Sequence, residues 1–311
     1  MKLYDLVTLK QSLTRALKTE EITQRLYDLC NQLDNVKIQV PVLSEEHGVY
    51  LNELIEYYKQ IIDKIEKPVI DFNDRIAIID QQINSITHQL LIDNYDLEQY
   101  THNLDFVRNS RRIYVNQDNE QDIKQRILFH TDWRYPALEI GCRDGEWTQF
   151  MVSADPLYIV DRHLEFLDST NDRFPKPYQQ RLRKYQLKEN HDLSMLPQNQ
   201  MGFVFSWGYF NYVSMDTIKQ YLKQIFAILR PGGVFMFSYN DGDTTFGAGM
   251  SENGGQTYMP KSMLKPLCES FGYIINKESN YNNQISWIEI RRPGELATTK
   301  AHQVLGEIKH Q

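Results

Sequence analysis

The sequence predicts an α/β protein in which a doubly wound parallel sheet follows a long helical coiled-coil region. Three observations point there. Of the 15 glycines only Gly48 precedes position 141, and all four tryptophans (Trp133, Trp147, Trp207 and Trp287) lie beyond 130, so the halves differ in kind. From Leu51 apolar residues recur at alternating steps of three and four, the mark of a heptad helix. After Arg111 and Arg112 the pattern becomes short apolar strands alternating with helical stretches.

With 311 residues the chain is long enough for roughly two domains. The boundaries expected are short N-terminal helices over 1–47, one long coiled-coil helix over 48–112, the sheet domain over 113–295 and a tail over 296–311. In the second segment the heptad a positions are Ile55, Ile62, Val69, Ile76, Ile83, Leu90, Leu97 and Leu104. The d positions are Leu51, Tyr58, Ile65, Phe72, Ile79, Ile86, Asp93, Tyr100 and Val107. At about 1.5 Å per residue such a helix spans about 85 Å, so its apolar stripe needs partner helices. From Ile62 to Ile86, β-branched residues at both a and d, Phe72 excepted, favour self-association as a trimer, with a tetramer also allowed. A hairpin is the competing solution, in which the stripes Leu6, Leu9, Leu13, Ala16 and Ile22, Leu26, Leu29, Leu33, Val36 fold back across the Pro41 to Gly48 turn.

Formal net charge is −7, five of those charges falling in residues 1–112. Nothing here indicates a nucleic-acid partner, although the rod's acidity says little about a cleft elsewhere. Cys30, Cys142 and Cys268 are too far apart for a zinc or redox motif, so no metal is expected. Neither a signal peptide nor a run of 18 apolar residues is found, and the expectation is a soluble cytoplasmic protein, incorporation into a larger particle being compatible.

In the back half the expected order is a leading helix over 120–129, the strand 137–140, a glycine turn and a helix beginning near Trp147. A strand 157–160 ending in Asp161 comes next, then an element over 185–189 and a strand 202–205. A helix over 217–229 stopped by Pro231-Gly232 and a strand 234–238 complete it. Ligands of such sheets bind beyond the carboxyl ends of the strands. Those ends carry LEIGCRDGEWT, YIVD and SW, with LRPGGVFMF later.

Over residues 118–292 this order and these motifs resemble the class I S-adenosylmethionine-dependent methyltransferases. The resemblance implies a Rossmann-like seven-stranded sheet and S-adenosylmethionine as cofactor. It places Glu139, Gly141 and Gly145 in the family's acidic glycine turn, with Arg143 standing where the family has its middle glycine. Glu139 then receives the cationic amino group, and Arg143 either crowds or pairs with the methionine carboxylate. Asp161, 22 positions after Glu139, takes the ribose hydroxyls, Arg162 flanks adenine, and Asp192 with the Leu193 amide meets its edge. Ser206 and Trp207 line the cleft. A nicotinamide enzyme needs Gly-x-Gly-x-x-Gly, whereas the spacing here is Gly-x-x-x-Gly after an acid.

The acceptor side is expected from residues 207–212 and 238–258, where Gly242, Gly247, Gly249, Gly254 and Gly255 suggest a lid. His163, His191, Tyr209, Asp241 and Asp243 are candidate bases, none of which the sequence singles out. The run Arg181, Arg183, Lys184, Lys188 reads as a solvated helix face, and the tail as a short surface helix. Two functions follow: a methyltransferase of unidentified acceptor, oligomerised through its coiled coil, or a structural module with a silent methyltransferase fold within an assembly such as a virion.

Overall fold

A computed structural model describes residues 2–17, 28, 56–57, 59–61, 73–83 and 117–294 except 189, 282 and 283. Most of the 48–112 helix and the 296–311 tail therefore lie outside the described residues. The chain divides into two compact units, 1–88 and 89–311.

In the first unit helix α1 (Leu3–Leu17) carries an apolar stripe. Its Leu6 packs with Ile79, and Ile76 and Ile83 join them. Lys10 and Asp80 form an ion pair at 2.6 Å alongside. The a and d residues Ile76, Ile79 and Ile83 are thus covered at least partly by the first helix of the same chain.

The second unit begins with α2 (Gln117–His130) and continues as β1 (Ala137–Ile140), a 3₁₀ turn (Thr148–Phe150), β2 (Leu157–Asp161), α3 (Leu164–Asp172), α4 (Lys176–Gln179) and β3 (Leu182–Gln186). Then come β4 (Met201–Ser206), α5 (Met215–Ile228), β5 (Leu229–Tyr239), α6 (Thr245–Glu252), α7 (Lys261–Ser270), β6 (Ile274–Tyr281) and β7 (Ile285–Arg291). The sheet order is β3-β2-β1-β4-β5-β7-β6, with β7 antiparallel to both neighbours. Strands β1 and β4 are buried along their whole length because helices cover both faces, which is why they read as unbroken apolar runs. Alternate residues feed opposite layers: Leu138, Ile140 and Val204 join Tyr221, Leu222 and Ile225 of α5 on one side. Ala137, Phe203, Phe205 and Trp287 join Ile123 and Ile127 of α2 on the other. The chain runs outward from β1 to β3 and returns to β4 beside β1, so the switch point lies between β1 and β4.

Three expectations need correcting. No α-helix begins near Trp147; only the 3₁₀ turn follows the glycine turn. The stretch GEWTQFMVSADP is too short and too unpatterned to make one before β2. The third strand is Leu182–Gln186, so the basic run lies partly on an edge strand, where Arg183 and Lys184 are both exposed, and not on a helix. The lid expected over 238–258 is not a bare glycine-rich loop. Helix α6 lies within it, and the buried Asn240 amide donates to Gly247 O, Ser251 Oγ and Thr257 O at 3.0–3.1 Å.

Candidate functional site

Parallel pairing sets the site's frame. Glu139 lies level with Ile159 and Phe205, and Gly141 N donates to Val160 O at 2.8 Å, bringing the glycine turn beside Asp161 at the end of β2. The turn needs left-handed backbone three times, at Gly141 (φ +74°), Arg143 (φ +48°) and Gly145 (φ +78°). Arg143 thus keeps the middle glycine's hand of conformation with a side chain, an uncommon arrangement costing about 1 kcal/mol or more. Its amide donates to Asp161 Oδ2 at 3.1 Å and its carbonyl accepts from Thr170 Oγ1 at 2.8 Å. A β-carbon at Gly145 would lie 2.9 Å from Thr170 Cγ2, so this glycine is required by packing as well as by φ.

Glu139 and Asp161 are both buried. Desolvation pushes the Glu139 carboxyl up to about 8, against a hydrogen bond from Thr148 Oγ1, and the charges of Asp161 and Asp144 add to the rise. Asp161 is also raised by burial, partly offset by the amides of His163 (3.0 Å to Oδ1) and Arg143. Each of its oxygens retains a second lone pair for a ligand. On Glu139's side of the sheet stands an aromatic group: the Trp147 ring centre lies 5.9 Å from that of Phe205 and 5.7 Å from that of Trp207. The buried Nε1 of Trp207 has no hydrogen-bond partner.

Arg162 is turned inward. Its Nη2 lies 2.7 Å from His191 Nε2 and its Nε donates to Tyr209 Oη at 3.3 Å. Tyr209 Oη and Tyr221 Oη are 3.0 Å apart, and Tyr221 Oη is 3.1 Å from His191 Nδ1. Ser206 Oγ donates to Ile140 O at 2.8 Å, tying β4 to β1 at the switch point.

The structure therefore brings Glu139, Gly141, Arg143, Gly145, Asp161, Arg162 and Ser206 to one end of the sheet. Asp192 follows His191 in the loop after β3, its carboxylate accepting from Ser194 N and Oγ at 2.8 and 2.7 Å, bonds that lower its pKa. The Leu193 amide is taken by Gln224 Oε1 at 2.7 Å. Of the candidate bases, Asp241 is buried and pushed up to about 6 by desolvation, opposed by the Lys261 amide at 2.9 Å to Oδ1. Thr148 and Tyr221 were missed. Thr148 falls nine positions after Glu139 with no helical repeat to mark it, and Tyr221 reads as one more apolar position of α5.

Residues 138–235, about a third of the chain, match the family model described as "Methyltransferase domain". No curated protein matches the chain. Similar solved structures include a S-adenosylmethionine dependent methyltransferase from Mesorhizobium loti, 13% identical, covering 56% of this chain and 97% of its own at TM-score 0.46. A putative S-adenosylmethionine dependent methyltransferase from Listeria monocytogenes is 14% identical, covering 56% and 96% at 0.46. Geranyl diphosphate C-methyltransferase from Streptomyces coelicolor A3(2), solved with S-adenosyl-L-homocysteine, is 8% identical, covering 56% and 81% at 0.47. At these scores they add nothing to the reading of individual residues. The family match, lying across β1 to β5 of a seven-stranded mixed sheet, identifies the back half of this chain as a domain of the α/β methyltransferase fold.

Proposed function

We propose that the domain binds S-adenosylmethionine and transfers its methyl group to an acceptor not yet identified. One observation carries this reading: two buried carboxylates, Glu139 and Asp161, stand at the ends of adjacent strands joined by the glycine turn. Glu139 suits an ammonium group, and the flanking rings of Trp147, Phe205 and Trp207 favour a cation nearby. Asp161 suits a vicinal diol through its two remaining lone pairs. The orphaned Trp207 Nε1 suits an acceptor group. Such a donor set fits the cofactor's amino-acid and ribose parts. When bound, S-adenosylmethionine supplies an electrophilic methyl on a sulfonium sulfur. The protein's own part is to orient the acceptor in line and to keep water out, for which the buried aromatic residues after β4 are suited.

Asp161→Ala removes two charge-assisted hydrogen bonds to the ribose and is expected to weaken binding by about 1.5–3 kcal/mol, roughly ten- to 150-fold. Calorimetry with S-adenosylmethionine reads this directly, and an unchanged affinity would remove Asp161 from the site. Self-association through 48–112 belongs to the same proposal. Sedimentation of the full chain is expected to show a trimer or tetramer, and a monomer at micromolar concentration rejects it.

A second reading, a silent fold serving as a structural module, is favoured by two particulars. Arg143 replaces a glycine, and no α-helix follows the turn to offer its amino end to an anion.

A further inference from the structure

Gly141 is where the glycine turn would leave room for a ligand, and that room is filled by a side chain. A β-carbon built on Gly141 would lie 2.8 Å from Cδ2 and 2.9 Å from Cβ of Tyr209, so the tyrosine's stem and ring edge rest on the turn itself. The phenol is held at its far end by Arg162 Nε at 3.3 Å and Tyr221 Oη at 3.0 Å, the latter braced by His191 at 3.1 Å. These contacts come from four separate segments: the end of β2, the loop after β3, the loop after β4, and α5. The backbone on either side of Tyr209 is pinned. Gly208 N donates to Ser238 Oγ at 2.7 Å, Ser238 Oγ donates to Asn211 Oδ1 at 2.9 Å, and Asn211 Nδ2 donates to Gln256 at 3.2 Å.

We propose that Tyr209 is a gate on the glycine turn, latched shut by Arg162, Tyr221 and His191, and that a ligand reaching Gly141 enters only when this side chain swings away. The pinned backbone keeps Tyr209 Cβ in place and confines the motion to the ring, so what swings clear of Gly141 is the Cδ2 edge. The proposal rests on the cofactor reading above, because the ligand it admits is S-adenosylmethionine or its demethylated product.

Association of S-adenosylhomocysteine, followed by stopped-flow tryptophan fluorescence, tests it without any turnover. The apparent affinity of a protein whose competent state is rare is reduced by that state's fraction. Tyr209→Phe keeps the ring and removes the latch, so its association rate is expected to rise about tenfold, in line with the loss of one or two buried hydrogen bonds. Tyr209→Ala removes the gate and is expected to rise further, and circular dichroism checks that it folds. If both variants associate at the wild-type rate or more slowly, while Asp161→Ala still weakens the wild type, Tyr209 is a wall of the site and the gate is rejected with the cofactor reading intact. If the wild type and both Tyr209 variants all fail to bind, the cofactor reading falls and the gate falls with it.

Discussion

Glu139→Gln is expected to stabilise the ligand-free protein at pH 9 by about 3–5 kcal/mol and to abolish cofactor binding. The wild-type carboxyl is pushed up to about 8 by burial, with the charges of Asp161 and Asp144 adding to it. An unfolded glutamate titrates near 4.5. Because the folded value lies above the unfolded one, this group's favourable contribution is complete below about pH 4.5 and is lost as the pH rises through 8. Glutamine copies the neutral acid in size and can still accept from Thr148, so it escapes that loss. The gain should shrink to nothing near pH 4. Denaturant unfolding of both proteins at pH 4, 7 and 9 measures it, and a variant that is destabilised at pH 9 would show that the carboxylate is compensated in the folded chain. A residue that lowers stability where it stands is understandable when it serves a ligand.

Glu289→Ala is expected to act in the opposite sense, costing about 3–5 kcal/mol at neutral pH. Glu289 of β7 is buried and accepts from Arg126 of α2 at 2.6–2.7 Å and from Asn276 at 3.3 Å, while His130 Nε2 lies 3.1 Å away. Burial alone would raise this acid, but His130 and Arg126 outweigh it and hold the carboxyl at about 2. The folded value lies below the unfolded one, so the stability is present above about pH 4.5 and is lost as the pH falls from there toward 2. Removing the carboxylate leaves Arg126 facing a buried gap. For a domain of this size the melting temperature should fall by about 10 °C at pH 7, and the difference from wild type should narrow below pH 4. Equal loss at pH 7 and pH 3 would mean that packing, not charge, is what the substitution removes.

Much of the fold was legible because the central strands leave an unambiguous trace. Ala137–Ile140 and Met201–Ser206 are covered on both faces and admit few alternatives to a buried strand, and Asp161 closes β2 where an acid was expected. The edge strand Leu182–Gln186 was misplaced because only Leu182 is fully buried and the basic residues between hide the repeat of two. The helix expected at Trp147 came from the general alternation of strands with helices, and the residues there show no apolar stripe to support it. The acids of the site were visible as strand-end carboxylates. The Arg162, His191, Tyr209 and Tyr221 cluster was not, since its members are separated by 29 to 47 positions or lie on the apolar stripe of a helix. Chemistry assembled from four segments has no local signature, whereas a turn of two glycines and an acid does.

The most direct test is calorimetric titration of the wild-type protein with S-adenosylmethionine at pH 6, 7 and 8.5. Binding is expected at all three, tightening by roughly tenfold per unit as the pH rises toward 8 and releasing a proton, because Glu139 must ionise to hold the ammonium group. The absence of a binding isotherm at every pH would contradict the account, and would leave the sheet as a methyltransferase fold that no longer takes the cofactor.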